Sequence, residues 1–333
     1  MMVTRGIYWF WARTKVRRYI WSHVSIGGSR LEYGGRGIEL FLGFLVAGTI
    51  LALALWGLQF LALTLAGPLS GSLLWGIALY PVMGILGLIA VYRRHRYMIR
   101  RTSWRGINCG LTGSTFGYIG RIALPVLLTI LTLGLAYPLV TVTSQKYLVS
   151  RMSIGSLAFE YKGRTRDILG SWLICWLIFP FTGGLSLVWW RSRALAYQLR
   201  QTSLGSLRFS STLRPMRGVG IYFFGGLLAG LIVYGLVFLI SGSGILTAML
   251  LDVSGGSIGG FYSVVLPVLL LLPFLAPVSY AAYLYFIDYP FTEYLLQTTE
   301  IVGTINLDAI VQAHDRAHGP GDGLDAILGM DGI

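Results

Sequence analysis

The residues of this chain that are best suited to chemistry are cations and tyrosines that recur at fixed positions. Four blocks align without gaps on Ser25, Ser103, Ser153 and Ser203, and a tyrosine lies six residues before each serine. A lysine or arginine lies ten residues before three of these serines and seven residues before three of them. Near anionic lipid, each such cation gains about 1 kcal/mol. We therefore predict a surface that binds lipid headgroups, made of Lys15, Arg18, Tyr19, Arg93, Arg96, Tyr97, Lys146, Tyr147, Arg193 and Tyr197.

Basic residues beside aromatic rings also occur on surfaces that bind nucleic acid, and Trp9, Trp11, Trp189 and Trp190 lie in such clusters. Here, however, every cluster adjoins a long apolar stretch. Tryptophan and tyrosine are typical of membrane interfaces, where lysine and arginine extend their charged ends toward the headgroups. We therefore expect anionic membrane lipids as the binding partner, and no nucleic acid.

Other residues with reactive side chains give weaker signals. His314 and His318 have the spacing of two zinc ligands on a helix, but Gly319 and Pro320 follow at once and no third ligand is apparent. Asp252 is an ionisable residue in an apolar region, which indicates a proton or ion path, yet the glycines and serines after it favour a loop. The sequence has no Walker loop and no Ser-His-Asp set. We predict no metal, no cofactor and no enzyme.

Long apolar stretches separate the basic blocks. Only 12% of the 333 residues are charged, against about 25% in soluble domains. Lysine and arginine are absent from 37–92, 122–145, 168–190 and 218–287. A helix needs about 20 apolar residues to span a bilayer, so the first and last stretches can hold two helices each. These are predicted near 39–65, 72–92, 218–241 and 261–287.

The two middle stretches, 122–145 and 168–190, allow two interpretations. Each could cross the membrane once, which would place the basic segment 146–166 outside and break the positive-inside rule. Alternatively, each could form a pair of short helices that enters and returns. Gly134 and Pro180 interrupt the two stretches near their middle, so we favour the paired helices, whose ends must be buried by other protein.

Each serine is followed by a glycine turn and an alternation of polar and apolar residues, which predicts a β-hairpin. A single hairpin is marginal in water, so the four should pair with one another or lie on the membrane surface. A degenerate, acidic fifth copy follows at Asp288–Ile305. The predicted fold is an all-α polytopic membrane protein, with quasi-repeated transmembrane helices and small cytosolic β-hairpins.

Charge divides the chain into two parts. Residues 1–287 contain 25 Lys and Arg against 5 Asp and Glu, whereas 288–333 contain 1 against 8. We predict a multi-pass membrane domain over 1–298 and an acidic tail over 299–333. The tail either docks on a basic surface or a protein partner, or is disordered. The positive-inside rule places the basic segments and the tail in the cytoplasm.

The residues from Gly6 to Tyr19, followed by Ser25 to Tyr33, resemble the signature of the YjgN-like family of bacterial inner-membrane proteins, a domain of unknown function. The resemblance extends over nearly the whole chain. It implies the bacterial cytoplasmic membrane, but no known activity and no catalytic residues. Members generally have an apolar helix ahead of the Gly-Ile-Tyr motif, which this sequence does not show; a truncated chain or a misassigned start would leave the predicted helix count one short.

Two functions remain open from the sequence. The first is the handling or transport of lipid or another amphiphile, because the interrupted middle stretches would thin the membrane locally. The second is a scaffold that presents its hairpins and tail to a partner protein. It is favoured by the scarcity of intramembrane polar residues, which a hydrophilic substrate would need.

Overall fold

The helices of this chain alternate with short strands. A computed structural model describes residues 8–26, 28–250, 275 and 278–303. Asp252, His314, His318 and most of the tail therefore lie outside the described residues. The helices are α1 (Trp9–His23), α2 (Gly37–Arg100), α3 (Thr115–Leu131), α4 (Tyr137–Val149), α5 (Thr165–Ile178), α6 (Leu185–Arg200), α7 (Pro215–Leu250) and α8 (Tyr289–Gln297). A 3₁₀ turn at Phe179–Phe181 follows α5, and a π-helical turn at Leu284–Asp288 precedes α8.

The strands form one antiparallel sheet in which neighbours along the chain are neighbours in space. Within the described residues its order is β1 to β9. Each pair that follows a basic block is joined by a tight turn, with Gly28, Gly155 and Gly205 at positive φ. The strands are β1 (Ser25–Ile26), β2 (Ser29–Tyr33), β3 (Thr102–Trp104), β4 (Ile107–Leu111), β5 (Met152–Ile154), β6 (Leu157–Tyr161), β7 (Thr202–Leu204), β8 (Leu207–Ser211) and β9 (Thr299–Val302).

The two faces of this sheet differ in polarity. Residues directly opposite each other on antiparallel strands share a face. Ser103 lies opposite both Glu32 and Asn108, which gives a polar face. Its chain neighbour Trp104 lies opposite Leu31 and Ile107, which gives an apolar face. The buried members of the apolar face are Trp104, Ile154, Leu204 and Leu207.

The sheet shows that the predicted all-α fold class is wrong. The hairpins are not separate appendages, because each pairs with the next one. The backbone N–H of Gly34 donates to Arg101 O at 2.8 Å, and that of Lys162 donates to Gln201 O at 3.0 Å. The physical reason is that an isolated hairpin leaves a row of unpaired backbone groups on both edges. Pairing satisfies those groups and joins residues far apart in sequence.

Three helices of the described chain are long and apolar enough to cross a membrane: Gly37–Pro68, Ser70–Arg100 and Pro215–Leu239. The first two are the arms of α2, here called α2a and α2b, which meet at a kink where Gly67 has φ 76°. At most 11% of the residues in their most apolar windows are buried. The helix predicted near 261–287 lies largely outside the described residues, so the predicted total of four is not tested.

The middle stretches form pairs of short helices. Between α3 and α4 the chain turns at Leu133 and Gly134, both with positive φ. Strand β4 precedes α3 in the chain and β5 follows α4, and Cys109 of β4 pairs with Ile154 of β5. Because these two strands are hydrogen-bonded neighbours, the helix pair begins and ends at the same place on the sheet. The same holds for α5 and α6, which connect β6 to β7 in the chain, because these two strands are also paired.

The described residues divide into two compact units. The sheet unit contains Phe10–Leu169 and Arg200–Phe209, and the helical unit contains Gly170–Leu199 and the described part of Ser210–Glu300. In the helical unit, a Cβ at Gly218 would lie 2.5 Å from Ser192 Oγ, so α6 and α7 approach closely there. The hydroxyl of Tyr294 accepts a hydrogen bond from Arg214 N at 2.7 Å, which joins α8 to the start of α7.

Candidate functional site

The ten residues predicted to bind headgroups have very different surroundings, because five of them are exposed. These are Lys15, Arg18 and Tyr19 on α1, Lys146 on α4 and Arg193 on α6. Arg18 Nη2 donates to Gly35 O at 3.4 Å, and the guanidinium of Arg193 lies 5.6 Å from the centre of the Trp189 ring. The other five are partly or fully buried: Arg93, Arg96, Tyr97, Tyr147 and Tyr197.

Tyr147 belongs to a buried aromatic cluster and not to the surface. Its ring centre lies 5.5 Å from that of Tyr118 and 6.1 Å from that of Tyr92. The hydroxyl of Tyr147 donates to Ser114 O at 2.9 Å, and that of Tyr92 donates to Gly113 O at 2.6 Å. This tyrosine cluster, Tyr92, Tyr118 and Tyr147, fixes the base of α3 and α4 against the end of α2b. Tyr147 is therefore a packing residue.

Tyr97 is part of a buried polar network. Its hydroxyl donates to Glu39 Oε2 at 3.0 Å, and Arg101 Nη2 lies 3.1 Å from the same oxygen. The side chain of Glu39 is 5% exposed and that of Arg101 is 11% exposed. A buried carboxylate needs such partners, because an unpaired charge in the interior is strongly unfavourable. The network joins the start of α2a to the end of α2b.

Four arginines of the sheet unit converge near the tyrosine cluster, and we call Arg93, Arg96, Arg100 and Arg151 the arginine cluster. Three of its members lie on α2b, and Arg96 and Arg100 both act electrostatically on Tyr92. Arg151 follows α4 in the chain and acts on Tyr92 as well. Its guanidinium lies 3.9 Å from the centre of the Tyr147 ring. The structure thus brings together two predicted site residues, Arg93 and Arg96, and adds two arginines that the prediction omitted.

Glycine makes room for this arrangement. A Cβ at Gly113 would lie 2.7 Å from Arg151 Cδ, and the residue has φ 113°, which side chains rarely adopt. Sequence analysis missed Gly113 and Arg151. A signal for both exists, since Gly35, Gly113 and Gly163 all lie ten residues after an aligned serine, and Arg151 matches Arg101, two residues before one.

The described residues give no support for a metal or a reactive thiol. No group of three or more His, Cys, Asp and Glu side chains in the described part of the chain could hold a metal ion. Cys109 lies on the apolar face of the sheet, and burial raises the pKa of its thiol to about 11. Because the thiolate is the nucleophile, this burial lowers the reactivity of Cys109 at neutral pH.

The turns of the two short helix pairs are apolar and exposed. Leu131 and Leu133 lie at the turn of the first pair, and Leu177 and Phe181 lie at the turn of the second. Phe181 is 86% exposed. Soluble proteins rarely expose such side chains together. The arginine cluster lies at the opposite end of the first pair, next to the strands.

Comparison with known proteins gives a family and one curated relative. A family model described as "Bacterial protein of unknown function (DUF898)" matches residues 1–181 and, in a second copy, 156–318. Inner membrane protein YjgN of Salmonella typhimurium is 32% identical over 165 residues, which are 47% of this chain and 36% of that protein. The match thus spans about a third of the relative's length.

No solved structure matches the chain. The two copies of the family model extend together over residues 1–318, and the YjgN-like resemblance inferred from the sequence is confirmed. The chain belongs to the DUF898 family of bacterial proteins of unknown function.

Proposed function

We propose that this protein is a multi-pass protein of the bacterial inner membrane that handles lipid or another amphiphile. The observation that carries the proposal is the difference in length between its helices. The arms α2a and α2b have 32 and 31 residues, whereas α3 and α4 have 17 and 13. At 1.5 Å per residue the short pair reaches about 25 and 20 Å, less than the ~30 Å hydrocarbon core.

The membrane location is supported by two findings. The relative from Salmonella typhimurium is named an inner membrane protein. In addition, few residues in the most apolar windows of the three candidate spans are buried, and many of their large apolar side chains are exposed. Such surface is stable in lipid and unstable in water. The cations near the strands then lie on the cytoplasmic side, in agreement with the positive-inside rule.

Internal repeats form part of this proposal. The longer strand of each hairpin begins four residues after the aligned serine, as Ile107 follows Ser103 and Leu157 follows Ser153. The next helix begins twelve residues after the serine, at Gly37, Thr115, Thr165 and Pro215. The two overlapping matches to one family model support the same interpretation.

The short pairs favour lipid as the substrate. A helix pair that ends inside the hydrocarbon exposes its turn to acyl chains, and the exposed leucines and Phe181 suit that position. Mismatch of this kind thins the bilayer locally. A thinner bilayer lowers the barrier for a headgroup to move between leaflets. The scarcity of intramembrane charge argues against ions and sugars as substrates.

The proposal is tested by lipid movement in vesicles. The purified full chain is reconstituted with phosphatidylethanolamine, phosphatidylglycerol and a trace of fluorescent phospholipid, and dithionite is added outside. We expect bleaching of lipid from both leaflets, whereas protein-free vesicles keep the inner half protected. Protection of the inner half in vesicles that contain inserted protein would contradict the proposal.

A matched pair of variants locates the effect. Phe181→Ser removes the exposed ring at the turn of the second short pair and is expected to slow lipid movement several-fold. Phe116→Ser is the control. Phe116 is also exposed, by 84%, but it lies at the start of α3, next to the strands and away from the turn of its own helix pair. This substitution is expected to leave the rate unchanged. Equal rates of lipid movement for the two variants would show that the exposed turn does not promote lipid movement.

The scaffold hypothesis stays a prediction. Its protein partner would bind the tail, and residues 304–333 lie outside the described part of the chain.

A further inference from the structure

We infer that the arginine cluster is a binding site for a phosphate group, supplied by a lipid headgroup or by free phosphate. The inference rests on the proposed function only for the lipid source. It narrows the predicted headgroup surface from ten residues spread along the chain to one constellation: Arg93, Arg96, Arg100 and Arg151.

The four arginines lie in one region of the sheet unit, three of them because of helix geometry. Arg93, Arg96 and Arg100 are spaced i, i+3 and i+7 on α2b, so they share one face of that helix. Arg151 reaches the same place from the segment that follows α4. Three of the four act electrostatically on a single phenol, that of Tyr92, which is fully buried.

The charge of this cluster is not balanced at Arg93. Its Nε is buried and has no hydrogen-bond partner among the described residues. The charged group that acts on Arg93 is Arg96, another cation. The buried carboxylate of Glu39 is occupied by Arg101 and Tyr97. Arginine does not lose its proton in proteins, and a partly buried guanidinium is normally paired. An anion would complete the pairing.

The anion that fits is a phosphate. Guanidinium groups bind phosphate oxygens in pairs of parallel hydrogen bonds, and several arginines can share one phosphate. The oxygens of a phosphate are arranged tetrahedrally, so guanidinium groups can approach it from several directions, whereas the two oxygens of a carboxylate lie in one plane.

The site is also rigid, which reduces the cost of binding. The Arg151 side chain packs against Gly113, and its guanidinium lies over the Tyr147 ring. Its backbone carbonyl accepts a hydrogen bond from Thr112 N at 3.0 Å, which ties it to the end of β4. The hydroxyl of Tyr92 is held by Gly113 O and that of Tyr147 by Ser114 O.

The test measures thermal unfolding of the full chain in neutral detergent, followed by tryptophan fluorescence. Sodium phosphate is compared with sodium chloride at equal ionic strength, and phosphatidylglycerol with diacylglycerol, which lacks a phosphate group, in mixed micelles. We expect phosphate, phosphatidylglycerol or both to raise the melting temperature in a saturable way. A response to phosphate alone assigns a soluble anion, and a response to phosphatidylglycerol alone assigns a headgroup. No response to either would overturn the inference.

Variants make the test specific. Arg93→Gln and Arg151→Gln should abolish the shift. The control is Arg193→Gln, which occupies the position aligned with Arg93 but is exposed and lies over Trp189; it should keep the shift. Without ligand, Arg93→Gln should melt at the same or a higher temperature, because one repulsive charge is gone. A lower melting temperature of Arg93→Gln without ligand would show that Arg93 has a structural role. A ligand-induced shift that the substitution leaves unchanged would show that the ligand binds elsewhere. Either result overturns the inference.

Failure here is distinct from failure of the proposed function. Micelles have no leaflets, so the shift does not depend on lipid movement. A protein that binds phosphate but moves no lipid would retain the site and lose the proposed activity.

Discussion

The long helices of α2 and the short pair α3–α4 are stabilised in different ways. Away from the ends of α2a and α2b many apolar side chains are exposed, and Tyr80 is 80% exposed. At the base of α3 and α4, Tyr118 is 2% exposed and Ile122 is fully buried. The length of a helix therefore decides where it obtains its contacts. Long helices can rely on lipid, whereas a pair too short to cross must be fixed by protein at its base.

The largest expected effect separates these two regions with one type of substitution. Tyr118→Ala removes a buried ring and the hydrogen bond at 2.9 Å between its hydroxyl and Ser144 Oγ, and should cost about 3–5 kcal/mol of unfolding free energy. Tyr80→Ala should change it little, because Tyr80 does not pack on protein. Denaturant or thermal unfolding in detergent measures both. Similar losses for the two variants would contradict the comparison.

A second pair of variants tests where the long helices do contact protein. Glu39→Gln breaks the buried ion pair with Arg101 and should cost about 3 kcal/mol, because a buried guanidinium loses its counter-charge. Glu160→Gln is the control, since the Glu160–Lys162 pair, with N···O 3.2 Å, is exposed and worth at most about 1 kcal/mol. If Glu39→Gln lowered the unfolding free energy no more than its control does, the buried ion pair would not stabilise the contact between the start of α2a and the end of α2b.

A third pair examines the junction of the short helices with the sheet. Gly113→Ala places a methyl group against Arg151 at positive φ, and should cost about 1–3 kcal/mol. Gly120→Ala on α3 meets no atom within 4 Å and should stabilise the helix slightly, by less than about 1 kcal/mol. Unfolding in detergent again provides the measurement. A stable Gly113→Ala protein would show that the junction tolerates displacement of Arg151.

The smallest effect concerns reactivity and not stability. With a pKa of about 11, the Cys109 thiol should alkylate slowly at pH 7 and about tenfold faster for each added pH unit, because the thiolate fraction rises until pH reaches the pKa. The measurement is maleimide labelling in a Cys175→Ala background. A cysteine introduced at the exposed Ser206 serves as the control and should react fast at pH 8. Equal rates at pH 8 would show that Cys109 is not shielded.

Much of the architecture was predictable from the sequence. The absence of Lys and Arg from 37–92 and 218–241 indicated long apolar helices, and the breaks at Gly134 and Pro180 indicated short pairs. These signals are local, since the period of hydrophobicity and the position of a glycine depend only on nearby residues.

The sheet and the site were less predictable. Pairing of Glu32 with Ser103 joins residues 71 positions apart, and no local pattern specifies such a register. The aligned tyrosines illustrate the same limit. Tyr19 is exposed, Tyr97 bonds Glu39 and Tyr147 is enclosed, although all three occupy one position in the alignment. Their surroundings depend on which helices follow, and the repeated motif does not contain that information.

The proposed topology depends most on the return of the α3–α4 and α5–α6 pairs to the side of the membrane from which they start. Single cysteines in a Cys109→Ala, Cys175→Ala background test it directly, by labelling spheroplasts with a membrane-impermeant maleimide. Lys162→Cys, in the exposed segment between β6 and α5, should label only after the membrane is permeabilised. Ser70→Cys, beside the kink of α2, should label in intact spheroplasts. Labelling of Lys162→Cys from outside would place the strands on both sides of the membrane and contradict the account.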